Sequence, residues 1–496
     1  MIPLFTVIAL AGAFLVSLTG KRWRYLPDIL CAAATLCLLY LSVKSVVRVN
    51  SVGGMIIYTV GGWIPPVGIT LVLDRFSTFM LVTVNLIAFL VTVYAMEYVK
   101  RYTDTWKFYS LFLLMLAGMN GVIITGDLFN LFVFMEIASI ASYALVAFGT
   151  GREELEAGFK YMVMGSLASS FILLGIVFLY SVTATLNMAD MSSAISTRTG
   201  SPLLLFVSAL FLVGFGLKAA LVPFHAWLPD AHSSAPAPIS AMLSGVLIKT
   251  LGVYALVRIM FSVFGVTPLV LKMLMVLGIL SVIVGAFLAI GQWDFKRLLA
   301  YSSISQVGYV ILGIGLGTPL GILGGIFHLF NHAIFKSLLF LNSGAVDYAT
   351  GTRDLRQMGG LKEKMPVTAA TSLVASMSIA GVPPFSGFWS KLIIIVACVQ
   401  GRHYVYAFLA ALVSVVTLAM FMKVQRYAFY GEVPERWLNV REVPFSMKLA
   451  MVALSVMCVA GGVLLIPQVS GMFLDGATQA ILSGTGYAGK VFGNVK

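Results

Sequence analysis

From Tyr161 to Thr183 the chain runs for 23 residues, YMVMGSLASSFILLGIVFLYSVT, without one charged side chain. A helix needs about 20 predominantly apolar residues to cross the hydrocarbon of a bilayer, and many comparable runs follow and precede this one. Inside hydrocarbon every backbone N–H and C=O must be bonded within the protein, which leaves helices or closed barrels as spanning structures. Here the apolar residues are continuous rather than alternating, so the spans are helices. Hydrophobic residues fill 60% of the 496 positions and charged ones only 10%, whereas soluble domains are about a quarter charged. A soluble globule is excluded, and the expected fold is an all-α polytopic membrane protein.

Apolar runs bounded by charges or Gly/Pro clusters give about fourteen spans, at 2–19, 27–48, 74–98, 108–126, 128–148, 158–183, 202–222, 238–261, 264–290, 298–316, 320–346, 367–400, 403–427 and 446–467. Residues 51–74, SVGGMIIYTVGGWIPPVGITLVLD, are rich in Gly, Pro and β-branched residues and read as an exposed, hairpin-like loop. The N-terminal stretch MIPLFTVIALAGAFLVSLTG lacks a basic segment before its apolar core and a small-residue cleavage site, so it reads as the first span and not as a removable signal. Cys31, Cys37, Cys398 and Cys458 sit singly inside apolar runs and read as small hydrophobic filler, with no metal or iron–sulfur ligation expected.

Lys and Arg concentrate in loops on the cytoplasmic side of a membrane. Of the 32 basic residues, 19 lie in or beside odd-numbered loops, beginning with Lys21, Arg22 and Arg24 and then Lys100, Arg101 and Lys107. Arg152, Lys160, Lys296, Arg297 and Arg353 belong to the same set. With an even number of spans, both termini are expected outside the cytoplasm, in a multi-pass protein of the cell inner membrane. The formal net charge of +13 is then mostly topology, and no nucleic-acid partner is needed to account for it.

Lys218, Lys249, Lys336 and Lys391 fit neither set of loops. An ammonium group at the bilayer centre costs roughly 2.5–3.5 kcal/mol on insertion scales, so such residues face the bundle interior and mark pathways. Glu136, in DLFNLFVFMEIASIASYALVAF, has no neutralising residue within a helical turn. It requires a partner from another helix, and Lys218 is the candidate. In GGIFHLFNHAIFKSLLFLNSGAV, His328, His332 and Lys336 recur every four residues, which lines them along one helix face. Histidine is suited to pass protons because it titrates near neutrality, so the stripe reads as a relay. VPFHAWLPDA, after Lys218, and GVPPFSGFWSKLIII, with Lys391, each put Val-Pro, aromatics and Trp beside a membrane lysine. Proline breaks a helix, and paired broken spans in two halves of a transporter point to its ion site. Lys160, at the start of the sixth span, and His225, in VPFHAWLPDA, are candidate modulators; Lys160 would tune Glu136, though a plain cytoplasmic surface position is equally compatible with the sequence. The polar stretch DYATGTRDLRQMGGLKEKMP reads as a cytoplasmic, solvated face.

FMEIASIASYAL, GLKAALVPFHAWLPDAHSSAPAPISAMLSGVLIKTLGVYALVR, DFKRLLAYSSISQVGYV, FHLFNHAIFKSLLFLNSGAV and GVPPFSGFWSK together resemble the antiporter-like subunits shared by Mrp-type cation/proton antiporters, respiratory complex I and membrane-bound hydrogenases, the D-type Mrp subunits most of all. The resemblance runs from about residue 70 to 430. It implies fourteen helices with two inverted five-helix repeats, 106–262 and 263–430, flanked by 1–105 and 431–496, with the seventh and twelfth helices broken. It also implies roles in a proton path: Glu136 in the fifth helix, Lys218 in the seventh, Lys249 in the eighth, His328 and His332 in the eleventh, and Lys391 in the twelfth. Lysine at the twelfth-helix position, together with the lack of a long lateral helix after the last span, argues against the branch of the largest complex I homologue. The implied function is a proton-translocating subunit of a multi-subunit cation/proton antiporter, Na+/H+ by class, whose partners are other membrane subunits. A proton- or sodium-pumping subunit of a redox-driven complex is the alternative, and a self-sufficient carrier a third. No nucleotide-binding loop or cysteine cluster is present, so no cofactor and no redox chemistry of its own are expected.

Overall fold

The computed structural model describes residues 1–23, 25–196 and 201–494; Arg24, counted above with the first loop, lies outside them. Each expected span falls on a helix or on two helices parted by a break. In order these are α1 (Leu4–Thr19), α2 (Leu26–Ser51), α3 (Arg75–Tyr98), α4 (Thr105–Ile124), α5 (Leu128–Val146), α6 (Arg152–Thr183), α7 (Pro202–Lys218) and α8 (Trp227–Ser234). They continue as α9 (Ala237–Phe264), α10 (Pro268–Ile290), α11 (Phe295–Gly315), α12 (Pro319–Thr350), α13 (Pro366–Ala380), α14 (Ser386–Gln400), α15 (Tyr404–Phe429) and α16 (Phe445–Leu465). Among the described residues, eleven helices are long and apolar enough to cross a membrane, and α1, α7, α13 and α14 are shorter apolar helices beside them.

Residues 55–74 form the expected hairpin. Strands β1 (Met55–Thr59) and β2 (Thr70–Asp74) pair antiparallel, with Met55 opposite Asp74 and Thr59 opposite Thr70. The hairpin is exposed only in part: Trp63, Ile64 and Val67 at its tip are open, but β2 is buried throughout and bridges Leu71 to Thr125. Its Thr-Leu-Val-Leu run is apolar on both faces, so both are covered. Asp74 then caps α3 in a reciprocal box: Ser77 N–H donates to Asp74 Oδ1 at 2.7 Å, and Asp74 N–H donates to Ser77 Oγ at 2.8 Å, satisfying donors that the first helical turn leaves free. The stretch between α12 and α13 is also less solvated than expected, with Leu355 and Leu361 buried and Gly360 N–H donating to Tyr430 O at 3.1 Å. Of the cysteines, Cys31, Cys398 and Cys458 are buried and Cys37 is exposed.

Helix α9 is buried up to its last residue, Phe264, and packs against α3, α4, α7, α11 and α12. Most of it is π-helix, over Leu243–Tyr254 and Arg258–Phe264. This widened winding is rare and tends to accompany functional positions. Gly252 lets α9 press against the chain just past Lys218, since a Cβ there would sit 2.5 Å from Ala219 Cα. The two breaks fall where proline forbids the helix. Helix α7 stops at Lys218, and Trp227 Nε1 donates at 3.1 Å to the freed carbonyl of Leu217. Helix α13 stops at Ala380 and α14 resumes at Ser386, with Gly387 so close to α13 that a Cβ would collide with Ser378 O.

Candidate functional site

Glu136 and Lys218 meet across α5 and α7. Lys218 Nζ lies 3.5 Å from Glu136 Oε1, and its shorter bond, 2.8 Å, goes to Ser139 Oγ. The same Oε1 accepts a hydrogen bond from Ser169 Oγ on α6 at 2.5 Å. Lys218 is buried and Glu136 half-buried. The ammonium therefore has two oxygen partners on one helix face, a carboxylate and a hydroxyl three residues further on.

The second group of residues contains no carboxylate. Lys249 Nζ donates to Ser244 O within its own π-helix. Ser244 Oγ is 2.7 Å from Ser303 Oγ of α11, and Ser303 Oγ donates to Leu299 O. Leu299 O also accepts from Lys336 Nζ at 2.7 Å, and Lys336 makes a second bond, 2.5 Å, to Ser302 Oγ. The carbonyls of Ser244 and Leu299 and the hydroxyls of Ser244 and Ser303 thus lie between Lys249 and Lys336. Further along α12, His332 and His328 are stacked at 6.4 Å between ring centroids, 4° from parallel. His328 Nδ1 is 2.9 Å from Ser390 Oγ on α14, and the next residue, Lys391, donates to Ile379 O at 2.8 Å. That carbonyl is freed by the end of α13, so the second break supplies the acceptor for its own lysine. Tyr309 lies between, its ring 4.9 Å from Lys391 Nζ and 5.5 Å from the His328 ring.

Both ring nitrogens of His332, Nε2 of His328 and the whole amide of Gln306 are buried without a protein partner. An unpaired buried polar atom costs about 1–3 kcal/mol, so such groups seldom stay without a partner. The interior between α9, α11, α12 and α14 thus holds several polar atoms that no protein group satisfies.

Lys160 lies on the rim of the bundle. It pairs with Glu156 at 2.8 Å and Asp230 at 3.1 Å, and Asp230 also takes Arg297 at 2.6 Å. His225 sits in the α7–α8 break, half-buried, its Nδ1 without a protein partner. Among the described residues, no group of three or more His, Cys, Asp or Glu is placed to hold a metal ion.

Five polar residues of the bundle carry little or no signal in the sequence. Ser139 is in principle visible, three residues after Glu136 on the same face, but Ser169 comes from another helix and carries no local signal. Lys296, counted above among residues in or beside a loop, lies in the first turn of α11 and, unlike a solvated loop charge, is 2% exposed and donates to Ala235 O. Asp74, at the boundary of its span, forms a bidentate pair with Arg258 at 2.7 and 2.9 Å.

Known proteins are similar to this chain over most of its length. The family model described as NADH:quinone oxidoreductase/Mrp antiporter, TM, matches residues 125–417, and the N-terminal model of complex I chain 5 matches residues 63–109. The chain is 36% identical over 424 residues to the D-type subunit of a Na(+)/H(+) antiporter from Alkalihalophilus pseudofirmus, covering 85% of each. It is likewise 36% identical over 440 residues to the N-type subunit of an NADH-quinone oxidoreductase from Desulforudis audaxviator, covering 88% of this chain and 86% of that protein. Among solved structures, one chain of the Mrp complex from a Dietzia species superposes with a TM-score of 0.90 at 30% identity, covering 100% of this chain and 98% of the other.

Proposed function

The chain belongs to the NADH:quinone oxidoreductase/Mrp antiporter family of membrane subunits, and from that premise we propose that it carries protons for a multi-subunit cation/proton antiporter, Na+/H+ by class. The observation that carries this reading is the Glu136–Lys218 pair set beside a buried series of lysines and histidines with no carboxylate among them. Lys218 holds a proton while Glu136 faces it. When the pair opens, Ser139 holds the ammonium and the proton passes through hydrated space to Lys249, the Lys336–His332–His328 stripe and Lys391. Lys160 and His225 are the modulators of this path, Lys160 through the charge of Glu136.

The domains follow the same reading: 1–105 an N-terminal three-helix unit with the hairpin, 106–262 and 263–430 two inverted repeats each with one broken helix, and 431–496 the last span and tail. The face with Lys100, Arg101 and Arg353 is cytoplasmic, both termini are extracytoplasmic, and the membrane is the cell inner membrane. Carboxylates within the spans are too few to escort sodium, so the cation crosses in another subunit.

A redox-driven pump is the second reading, favoured by the equal identity to the NADH-quinone oxidoreductase protein. Purifying the intact complex separates the two, because small antiporter subunits or iron–sulfur subunits will accompany this chain. The proton role is tested in everted vesicles carrying the assembled complex: Lys218→Ala and Glu136→Ala are expected to abolish the ΔpH change driven by added sodium. Wild-type rates in both variants would remove the proposal.

A further inference from the structure

Lys296 and His232 are buried titratable groups that the path above does not use. Lys296 forms the floor of a cavity of about 380 Å³ on the basic face, with Tyr98, Glu154, Asp294, Asp347 and Arg353 around it. Its ammonium donates at 2.5 Å to Ala235 O, in the link from α8 to α9. Ser240 Oγ, 3.4 Å from the same carbonyl, donates to His232 O at 2.9 Å. His232 is fully buried, and neither of its ring nitrogens has a protein partner. Its ring stacks on Phe340 at 4.9 Å, and Lys336 Nζ stands 5.8 Å from the centre of that same Phe340 ring. Lys336 is bonded to Leu299 O and Ser302 Oγ, one and two turns along α11 from Lys296. Cavity, Lys296, His232 and Lys336 therefore succeed one another from the rim to the membrane interior.

A lysine in the first turn of a helix at the bundle rim is ordinarily exposed, and a histidine used only for packing normally satisfies at least one nitrogen. We infer that this cavity is the cytoplasmic proton intake of the chain, with Lys296 and His232 as its transfer groups delivering to Lys336. The inference rests on the proton-carrying function proposed above and places the intake at the α8–α9 link rather than at either helix break. In each passage, a proton from cavity water adds to the free amine of Lys296. The ammonium gives a proton through water to one ring nitrogen of His232, while the other nitrogen releases one to the amine of Lys336. Lys296 returns to the amine, the imidazole is left neutral in its other tautomer, and Lys336 carries the charge inward; no other bond is made or broken.

The test uses the assembled complex in everted vesicles. Lys296→Arg keeps a cation and a donor for Ala235 O but holds its proton, and His232→Gln keeps a polar side chain that takes up no proton. Both are expected to slow ΔpH formation at least tenfold at unchanged complex yield. A purely structural role for Lys296 leaves Lys296→Arg at the wild-type rate, and that result overturns the inference. Ser234→Cys in a Cys37→Ala background is expected to react with a charged, membrane-impermeant thiol reagent added on the basic face and to lose transport; a cysteine that stays unlabelled also overturns it, and this arm decides if the other variants fail to assemble. Lys218→Met run in parallel tells the two proposals apart. If it is inactive while Lys296→Arg is fully active, only the intake is wrong; if it is fully active, the proton-carrying function itself is wrong.

Discussion

Among the described residues, the acid–base pairs Asp74–Arg258 and Glu136–Lys218 both join elements inside the bundle, and they are built for opposite ends. Asp74 and Arg258 share two bonds, at 2.7 and 2.9 Å, with both side chains about 5% exposed. Asp74 is fixed besides by Ser77, and Arg258 by Tyr254 Oη at 3.1 Å. Every part of this pair is tied to something rigid, and it staples the hairpin and α3 to α9. Glu136 and Lys218 share one contact of 3.5 Å, and each already holds a shorter bond to a serine. A guanidinium fork matches a carboxylate in shape and never gives up its proton, whereas an ammonium is a point charge on a flexible stem that does. The same pairing of charges thus serves as a brace in one place and as a releasable latch in the other.

The contrast predicts opposite phenotypes. Lys218→Met and Glu136→Gln are expected to bring ΔpH-linked transport down to background, on the order of a hundredfold or more, with the amount of assembled complex unchanged. Arg258→Ala and Asp74→Asn are expected to lower the amount of folded complex, since removing one partner of a buried pair costs about 3–5 kcal/mol. Transport per assembled complex should then stay near normal. Complex yield from detergent extracts, measured beside transport in the same vesicles, checks both; a Glu136→Gln protein that fails to assemble would erase the distinction.

A smaller effect comes from turning the latch into a brace. Lys218→Arg offers Glu136 a bidentate partner and keeps the charge balance, so folding is expected to be normal while transport falls about tenfold or more because the guanidinium keeps its proton. Smaller again is Ser139→Ala, which removes the oxygen that holds the ammonium when Glu136 lets go. A hydrogen bond to a charged group contributes about 1.5–3 kcal/mol, but water can replace a hydroxyl there, so a three- to tenfold slowing is expected, on the order of 1 kcal/mol. Initial rates of fluorescence quenching by a pH-sensitive dye separate these steps.

What could be read from the sequence follows the same division. The helices, both breaks and the hairpin were legible because each rests on a local rule: an apolar run of membrane length, a proline, a cluster of glycines. Glu136, Lys218, Lys249, Lys336 and Lys391 were legible because a charge in an apolar run is costly enough to need a reason. Asp74 and Arg258 were not, since each sits near the end of a span where charges are ordinary, and only the folding of the hairpin back under α9 brings them together. The burial of Lys296 was hidden for the same reason. It opens α11 beside Asp294 and Arg297, which are loop-like in composition, and nothing in that stretch reports that the α8–α9 link covers it. The π-helical winding of α9 likewise leaves no mark in an apolar stretch whose every side is buried.

Lys160 sharpens the comparison from the weak side. Its ammonium meets Glu156 and Asp230, but the side chain is 48% exposed, and exposed pairs of this kind add little. Solvent and salt screen it, and Glu136 already has Ser169 and Lys218 for partners. Lys160→Ala is therefore expected to change transport less than twofold, with the difference shrinking as ionic strength rises. If the loss were instead tenfold and insensitive to salt, Lys160 would be acting on the Glu136 charge through the protein interior. The latch would then have a third member on α6, and its looseness would have to be regulated from the rim of the bundle.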